Sequence, residues 1–187
     1  IRPSKHLADS LSSMLKGNDE FVMIDDQKVV YENAVSLAKR ASKTKKKVLI
    51  VEGGPGTGKS VVAINLLVYL TKLGLLSQYV TKNAAPRTVY ESKLKGSFKK
   101  SEISNFFAGS GGFTKSESDI YDLLILDEVF DSSLDAVGTE EFLKLLTEFG
   151  ARANIFVISH KSDTMTDKFS NHIMFKKINN FSKMVGG

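Results

Sequence analysis

No cysteine occurs among the 187 residues, which excludes disulfides, thiol nucleophiles and every cysteine-based metal site. Histidine is almost as scarce: His6, His160 and His172 are all there is, and no two of them stand at metal-ligand spacing. The arginines are Arg2, Arg40, Arg87 and Arg152, and none follows a motif that marks an arginine finger. Long apolar runs are missing as well. Residues 61–70 form the longest, interrupted by Asn65, well short of the roughly 20 residues a membrane span needs. With no secretory signal in sight, a cytoplasmic protein without a membrane partner is expected.

A composition of 42% hydrophobic and 25% charged residues suits one globular core, so residues 1–187 are expected to form a single domain. The net charge is +5, carried mainly by lysines at 39, 43, 45–47, 93, 95, 99 and 100. Such clusters permit a polyanion partner, DNA or RNA. They fit solvated helix ends equally well.

The strongest feature is Gly53-Gly54-Pro55-Gly56-Thr57-Gly58-Lys59-Ser60, a full match to G-x-x-x-x-G-K-[ST] directly after the apolar run 48–51. Glycine lets this loop curl with its amides inward, and the helix that follows points its positive end at the same place. That is a cradle for a nucleotide polyphosphate, ATP or ADP, reaching as far as Val61. Lys59 is expected to reach the β- and γ-phosphates, and the Ser60 hydroxyl to hold Mg²⁺.

Hydrophobic periodicity places the rest. Residues 1–46 read as a helical lead-in: one helix in 1–20 with Leu7, Leu11 and Leu15 four apart, a second opened by Asp25 and Asp26 with Val29, Val30, Ala34, Leu37 and Ala38 as its apolar face. A strand from Val48, an apolar helix over 59–73 stopped by Gly74, and a short strand over 78–81 follow. The lysine, serine and glycine of 82–118 read as loop or a short helical excursion. Buried strands are expected at 122–126 and 154–159, a helix between them at 139–149, and one more strand at 173–178. Alternating strands and helices predict an α/β, three-layer αβα fold with a mainly parallel sheet and its ligand beyond the carboxyl ends of the strands.

Three strand ends then carry chemistry. Val51 leads into the loop, Leu126 into Asp127-Glu128, and Ile158 into Ser159-His160. Asp127 stands where a Walker-B carboxylate holds Mg²⁺, and Glu128 where a general base orients water towards the γ-phosphate. His160 is placed to hydrogen-bond that phosphate, against the plainer reading of a packed polar residue. His6 and His172 have no such surroundings.

Residues 1–120 resemble the superfamily-one helicase-like ATPases, most closely a schlafen-related family. Gly53 to Ser60 matches helicase motif I, Thr81-Lys82-Asn83-Ala84-Ala85-Pro86-Arg87 resembles motif Ia, and Gln27 in Asp25-Asp26-Gln27-Lys28 looks like the adenine-contacting Q motif. The resemblance implies that Gln27 reads the base and that residues 81–87 lie near single-stranded nucleic acid. Residues 119–184 are similar to ABC-class ATPases, with phage recombination-nuclease subunits of the SMC kind nearest. Leu124 to Asp135 resembles a Walker-B strand with its D-loop, and Val157-Ile158-Ser159-His160 an H-loop. This implies that Asp135 is a D-loop aspartate, His160 a switch histidine, and a second ATPase head or a homodimer the partner.

Each pattern is partial. The helicase-like part lacks a second motor domain; the ABC-like part lacks a coiled coil, and Ser110-Gly111-Gly112 lies too near the Walker-B strand to be a signature motif. A mosaic joined at 117–122, natural or engineered, is therefore expected, with Mg²⁺-dependent ATP hydrolysis that is slow in isolation. The alternatives are a nucleotide-binding module without turnover and a small-molecule kinase.

Overall fold

The computed structural model describes residues 5–16, 23–40, 46–109, 121–129, 140, 143, 144, 146–148, 150, 154–159, 171–178 and 181–185. Their element order is α1 (Lys5–Leu15), α2 (Asp25–Arg40), β1 (Val48–Gly53), α3 (Lys59–Lys72), β2 (Ser77–Thr81), α4 (Ala84–Leu94), α5 (Lys100–Phe106), β3 (Phe107–Gly109), β4 (Leu123–Asp127), β5 (Asn154–Ser159), β6 (His172–Ile178) and β7 (Phe181–Met184). The strands form one seven-stranded sheet in the order β3-β2-β4-β5-β1-β6-β7. Every pairing is parallel except β6 with β7.

Alternation along the strands sends side chains to two faces. Leu49, Val51, Tyr79, Leu123, Ile125, Phe156 and Ile158 join one cluster with Leu11 and Met14 of α1, Val30 and Ala34 of α2 and most of α3. Ile50, Val80, Leu124, Leu126, Ile155 and Val157 join a second with Val129 and Leu146. Both faces are therefore covered, which is why the central strands read as unbroken apolar runs. Helical positions occur among 140–150, with Leu143 and Leu146 buried; Phe142, Leu145 and Phe149 of the expected stripe lie outside the described residues.

Polar side chains set the register at the strand starts. Asn154 accepts from the Lys47 amide at 2.8 Å and donates to the Asp122 carbonyl at 2.8 Å, while Asp122 accepts from the Leu76 amide at 2.8 Å. Asp122, at the expected junction, thus stitches β4 to the entry of β2 and, through Asn154, to β1. The sheet runs unbroken across that point, with Tyr79 opposite Ile125 and Ile125 opposite Phe156.

Three expectations change. Where loop or a short helical excursion is expected over 82–118, the described residues to 109 hold two helices, α4 and α5, and the strand β3, and β7 adds a strand after β6. α4 is capped by Asn83, whose side chain accepts from the Ala85 amide at 3.0 Å, with Pro86 in the first turn, where proline is tolerated. Val29, assigned to the inner face of α2, is 40% exposed, because Val30 and Ala34 take the inward positions. Gly74 does terminate α3 in the left-handed conformation, φ 74°, and its amide donates to Thr71 O.

Candidate nucleotide site

The register brings four strand ends level: Glu52 of β1 lies opposite Ser159 of β5, Ile158 opposite Asp127 of β4, and Asp127 opposite Thr81 of β2. β5 stands between β1 and β4, so the glycine loop and the Asp127-Glu128 pair leave the sheet with one strand between them. Both open onto the carboxyl edge, where ligands of such sheets sit.

Gly53 ends β1 in close quarters: a Cβ there would meet Phe175 at 2.8 Å. Beyond it the loop stands clear, since a Cβ on Gly54 or Gly56 would meet nothing within 4 Å. Gly56 and Gly58 have φ of 74° and 84°, a conformation that suits glycine. Thr57 is buried and donates to Gly54 O at 2.9 Å, closing the turn. Lys59 is buried, and its ammonium donates to Gly53 O at 2.6 Å, Gly54 O at 2.9 Å and Thr57 Oγ1 at 3.3 Å. Here the cation lies on the loop's own carbonyls. The Val61 amide donates to Gly58 O at 3.0 Å, so it serves the first helical turn in this structure.

Ser60 and Asp127, separated by 67 residues in sequence, meet: Ser60 Oγ donates to Asp127 Oδ2 at 3.4 Å. Tyr79 donates its phenol proton to the same carboxylate oxygen. Burial, and next the Asp127 carboxylate, push the Tyr79 phenol well above its ordinary range, so it remains a proton donor. Ser60, Tyr79, Thr81, Tyr90, Asp127 and Glu128 line a cavity of about 30 Å³. A hydroxyl and a carboxylate with water-sized space beside them fit Mg²⁺, a hard cation that takes oxygen ligands and keeps several waters. Among the described residues no cluster of three or more carboxylates and histidines offers another metal site.

Glu128 follows Asp127 with φ 52°, the one non-glycine residue among those described with positive φ, and its amide donates to Ile158 O at 3.1 Å. That bond ties the turn to the neighbouring strand, and Glu128 lines the same cavity as Ser60 and Asp127. His160 and Asp135 lie outside the described residues, as does Ser110-Gly111-Gly112.

Gln27, in the first turn of α2, is buried against the loop; its Nε2 is 3.5 Å from Thr57 O, and its Oε1 accepts from the Ile24 amide at 3.3 Å. Residues 81–87 form the end of β2 and the first turn of α4. Arg87 lies across Gly109 at the end of β3 and pairs with Glu91 at 3.6 Å.

Sequence reasoning missed two groups. Glu52, fully buried one residue before the loop, has its Oε2 2.9 Å from His172 Nε2 on β6, so His172 does have an ionisable neighbour. A charge inside an apolar strand was the available signal. Tyr79 gave none, since tyrosine is ordinary in a buried strand.

Over residues 46–178 the chain matches the family described as Schlafen group 3, DNA/RNA helicase domain. The chain belongs to this family. The match runs across 117–122, so membership does not depend on a composite origin. The chain is also similar to Exonuclease subunit 2 of Enterobacteria phage T4, 40% identical over 62 residues; that covers 33% of this chain and only 11% of the relative. Similar solved structures include the DnaC helicase loader (TM-score 0.46, 15% identity, 81% of each chain) and the flagellar accessory protein FlaH of Methanocaldococcus jannaschii (0.49, 13%, 81% of each). Domain III of the Thermotoga maritima replication initiation protein DnaA is another (0.45, 17%, 80% of this chain and 58% of that one). No described helix is long and apolar enough to cross a membrane.

Proposed function

We propose that the chain binds ATP on residues 53–61 and hydrolyses it with Mg²⁺ in the service of nucleic-acid processing. The observation that carries this is the approach of Ser60 Oγ to Asp127 Oδ2 at 3.4 Å, which sets two Mg²⁺-type ligands side by side at the mouth of the glycine loop. Family membership supplies the nucleic-acid context.

Each residue has a part. The loop amides and the start of α3 bind the phosphates, and Lys59 exchanges its contacts with Gly53 O and Gly54 O for phosphate oxygens of the bound nucleotide. Ser60 and Asp127 hold Mg²⁺, which supplies charge neutralisation at the β- and γ-phosphates. Glu128 orients water and accepts its proton. Gln27 sits at the side of the loop where it can reach a base, and His160 stays proposed as a γ-phosphate contact on its sequence position alone. Of the arginines with described side chains, Arg87 is paired with Glu91 and Arg40 stands at the far end of α2. Turnover in isolation is therefore slow, and a partner ATPase subunit, a second copy of the chain or nucleic acid completes the site.

The test is phosphate release from ATP with Mg²⁺, with and without single- and double-stranded DNA or RNA, for the parent, Lys59→Ala and Glu128→Gln. Release that falls at least about 100-fold in both variants supports the assignment. Tight binding without release selects a nucleotide-binding switch. Release that both variants retain in full overturns it.

A further inference from the structure

Asp127 closes β4, and a carboxylate on a single Cβ turns broadly about its terminal torsion unless a donor fixes its plane. Ser60 alone, at 3.4 Å, is a long and weak constraint. The firmer one comes from β2. Tyr79 and Thr81 share one face of that strand, Thr81 opposite Asp127 and Tyr79 opposite Ile125, so the length of the tyrosine ring carries its hydroxyl forward to Asp127 Oδ2. The ring cannot swing away. It is 1% exposed, meets Tyr90 edge-on at 6.0 Å and 81°, and meets Phe107 at 5.8 Å and 63°, while Tyr90 stacks on Phe107 at 5.5 Å and 19°. Tyr90 belongs to α4, the helix that begins three residues after Thr81.

We infer that Tyr79 is a positioning residue for the metal-side carboxylate: its phenol fixes the Asp127 carboxylate beside Ser60 and, through the Tyr90 and Phe107 rings, ties that carboxylate to α4. The inference rests on the proposed role of Asp127 and extends it to a residue of the neighbouring strand that lines the same cavity. Its chemical content is specific. The phenol is a neutral donor, so it orients the carboxylate without cancelling the negative charge that attracts the cation. The ring stack is a rigid connection, because edge-to-face and stacked rings at these separations resist sliding past one another. Displacement of α4, by anything bound along residues 81–87, therefore moves the phenol and with it the plane of the carboxylate.

The experiment measures binding of a fluorescent ATP analogue, first in EDTA and then across a Mg²⁺ series. Tyr79→Phe keeps the ring and removes the hydroxyl; circular dichroism and a melting curve establish that it folds. The expected result is parent-like affinity in EDTA and a half-saturating Mg²⁺ concentration raised about tenfold or more, the usual scale for losing an outer partner of a metal ligand. A variant whose Mg²⁺ dependence equals the parent's overturns the inference while leaving the nucleotide site intact. Tyr90→Leu tests the connection to α4: a shift in the same direction is expected, and its absence alongside a shifted Tyr79→Phe overturns the tie and keeps the phenol's role. A parent that binds no nucleotide, or binds it indifferently to Mg²⁺, overturns this inference together with the function on which it rests.

Discussion

Gln27 fills the space beside Gly58 so completely that a Cβ on that glycine would lie 1.9 Å from Gln27 Nε2. Two demands therefore fall on one residue: φ is 84°, and a side chain there would have to displace that of Gln27. Gly58→Ala is expected to lower stability by about 1–3 kcal/mol and to weaken nucleotide binding by more than tenfold. Adding Gln27→Ala should recover part of the stability by removing the collision and leave the backbone strain. Urea unfolding of the two single variants and the double variant checks this; additive losses would exclude the contact as the cause.

Glu128 is held in the left-handed region, at φ 52°, where a residue with a Cβ is disfavoured by about 1–2 kcal/mol. Glu128→Gly relieves that strain at some entropic expense in the unfolded chain. The expected outcome is a variant at least as stable as the parent, by up to about 1 kcal/mol, with phosphate release reduced about 10²- to 10⁴-fold. Thermal melting and a phosphate assay on the same sample check both halves.

The Glu52 carboxylate is fully buried and has His172 Nε2 at 2.9 Å. Replacing the imidazole by an apolar group, His172→Leu, removes the polar neighbour of a buried carboxyl group, and such losses amount to about 1–3 kcal/mol. Because Glu52 immediately precedes Gly53, nucleotide affinity should fall in parallel. An unchanged urea midpoint would count against the pair as a structural element.

Alkaline unfolding should have a distinctive onset. Burial first, and the Asp127 charge second, raise the pKa of both Tyr79 and Tyr90 above the ordinary tyrosine value of 10.0. The folded state thus retains protons that the unfolded state releases, so stability is full below pH 10 and declines above it, up to the folded pKa values. The slope contributed is about 1.4 kcal/mol per pH unit for each tyrosine. Urea titrations between pH 8 and pH 11 should give a shallower decline for Tyr79→Phe and Tyr90→Phe.

What the sequence disclosed follows the physics of each element. β1, β4 and β5 were legible because strands covered on both faces become unbroken apolar runs, and the glycine loop was legible because its backbone demands leave few residue choices. α4 escaped because Tyr90 and Leu94 are its buried residues, too few to imprint a period, although Asn83 followed by Pro86 was a usable start signal. β7 escaped as a short strand at the sheet edge, with Lys183 and Met184 exposed. At the site, Ser60, Asp127 and Glu128 could be found one by one from motif and strand ends. The Tyr79 and His172 contacts depend on which strands become neighbours, and local spacing carries no record of that.

β7 also reaches the far end of the chain. The Met184 amide donates to Asp26 Oδ2 at 2.9 Å across 158 residues of sequence, and the Val185 amide to Met174 O at 2.7 Å. Asp26 precedes Gln27, so the last strand steadies the helix turn that packs on Gly58. The family match stops at residue 178 and starts at residue 46, leaving both α2 and β7 outside it. A fragment trimmed to the matched region would keep every phosphate-binding residue yet strip the buttress from one wall of the loop, bare the outer side of α3 and open a fresh sheet edge along β6. The contacts that brace the loop thus extend beyond the stretch of chain that the family match covers.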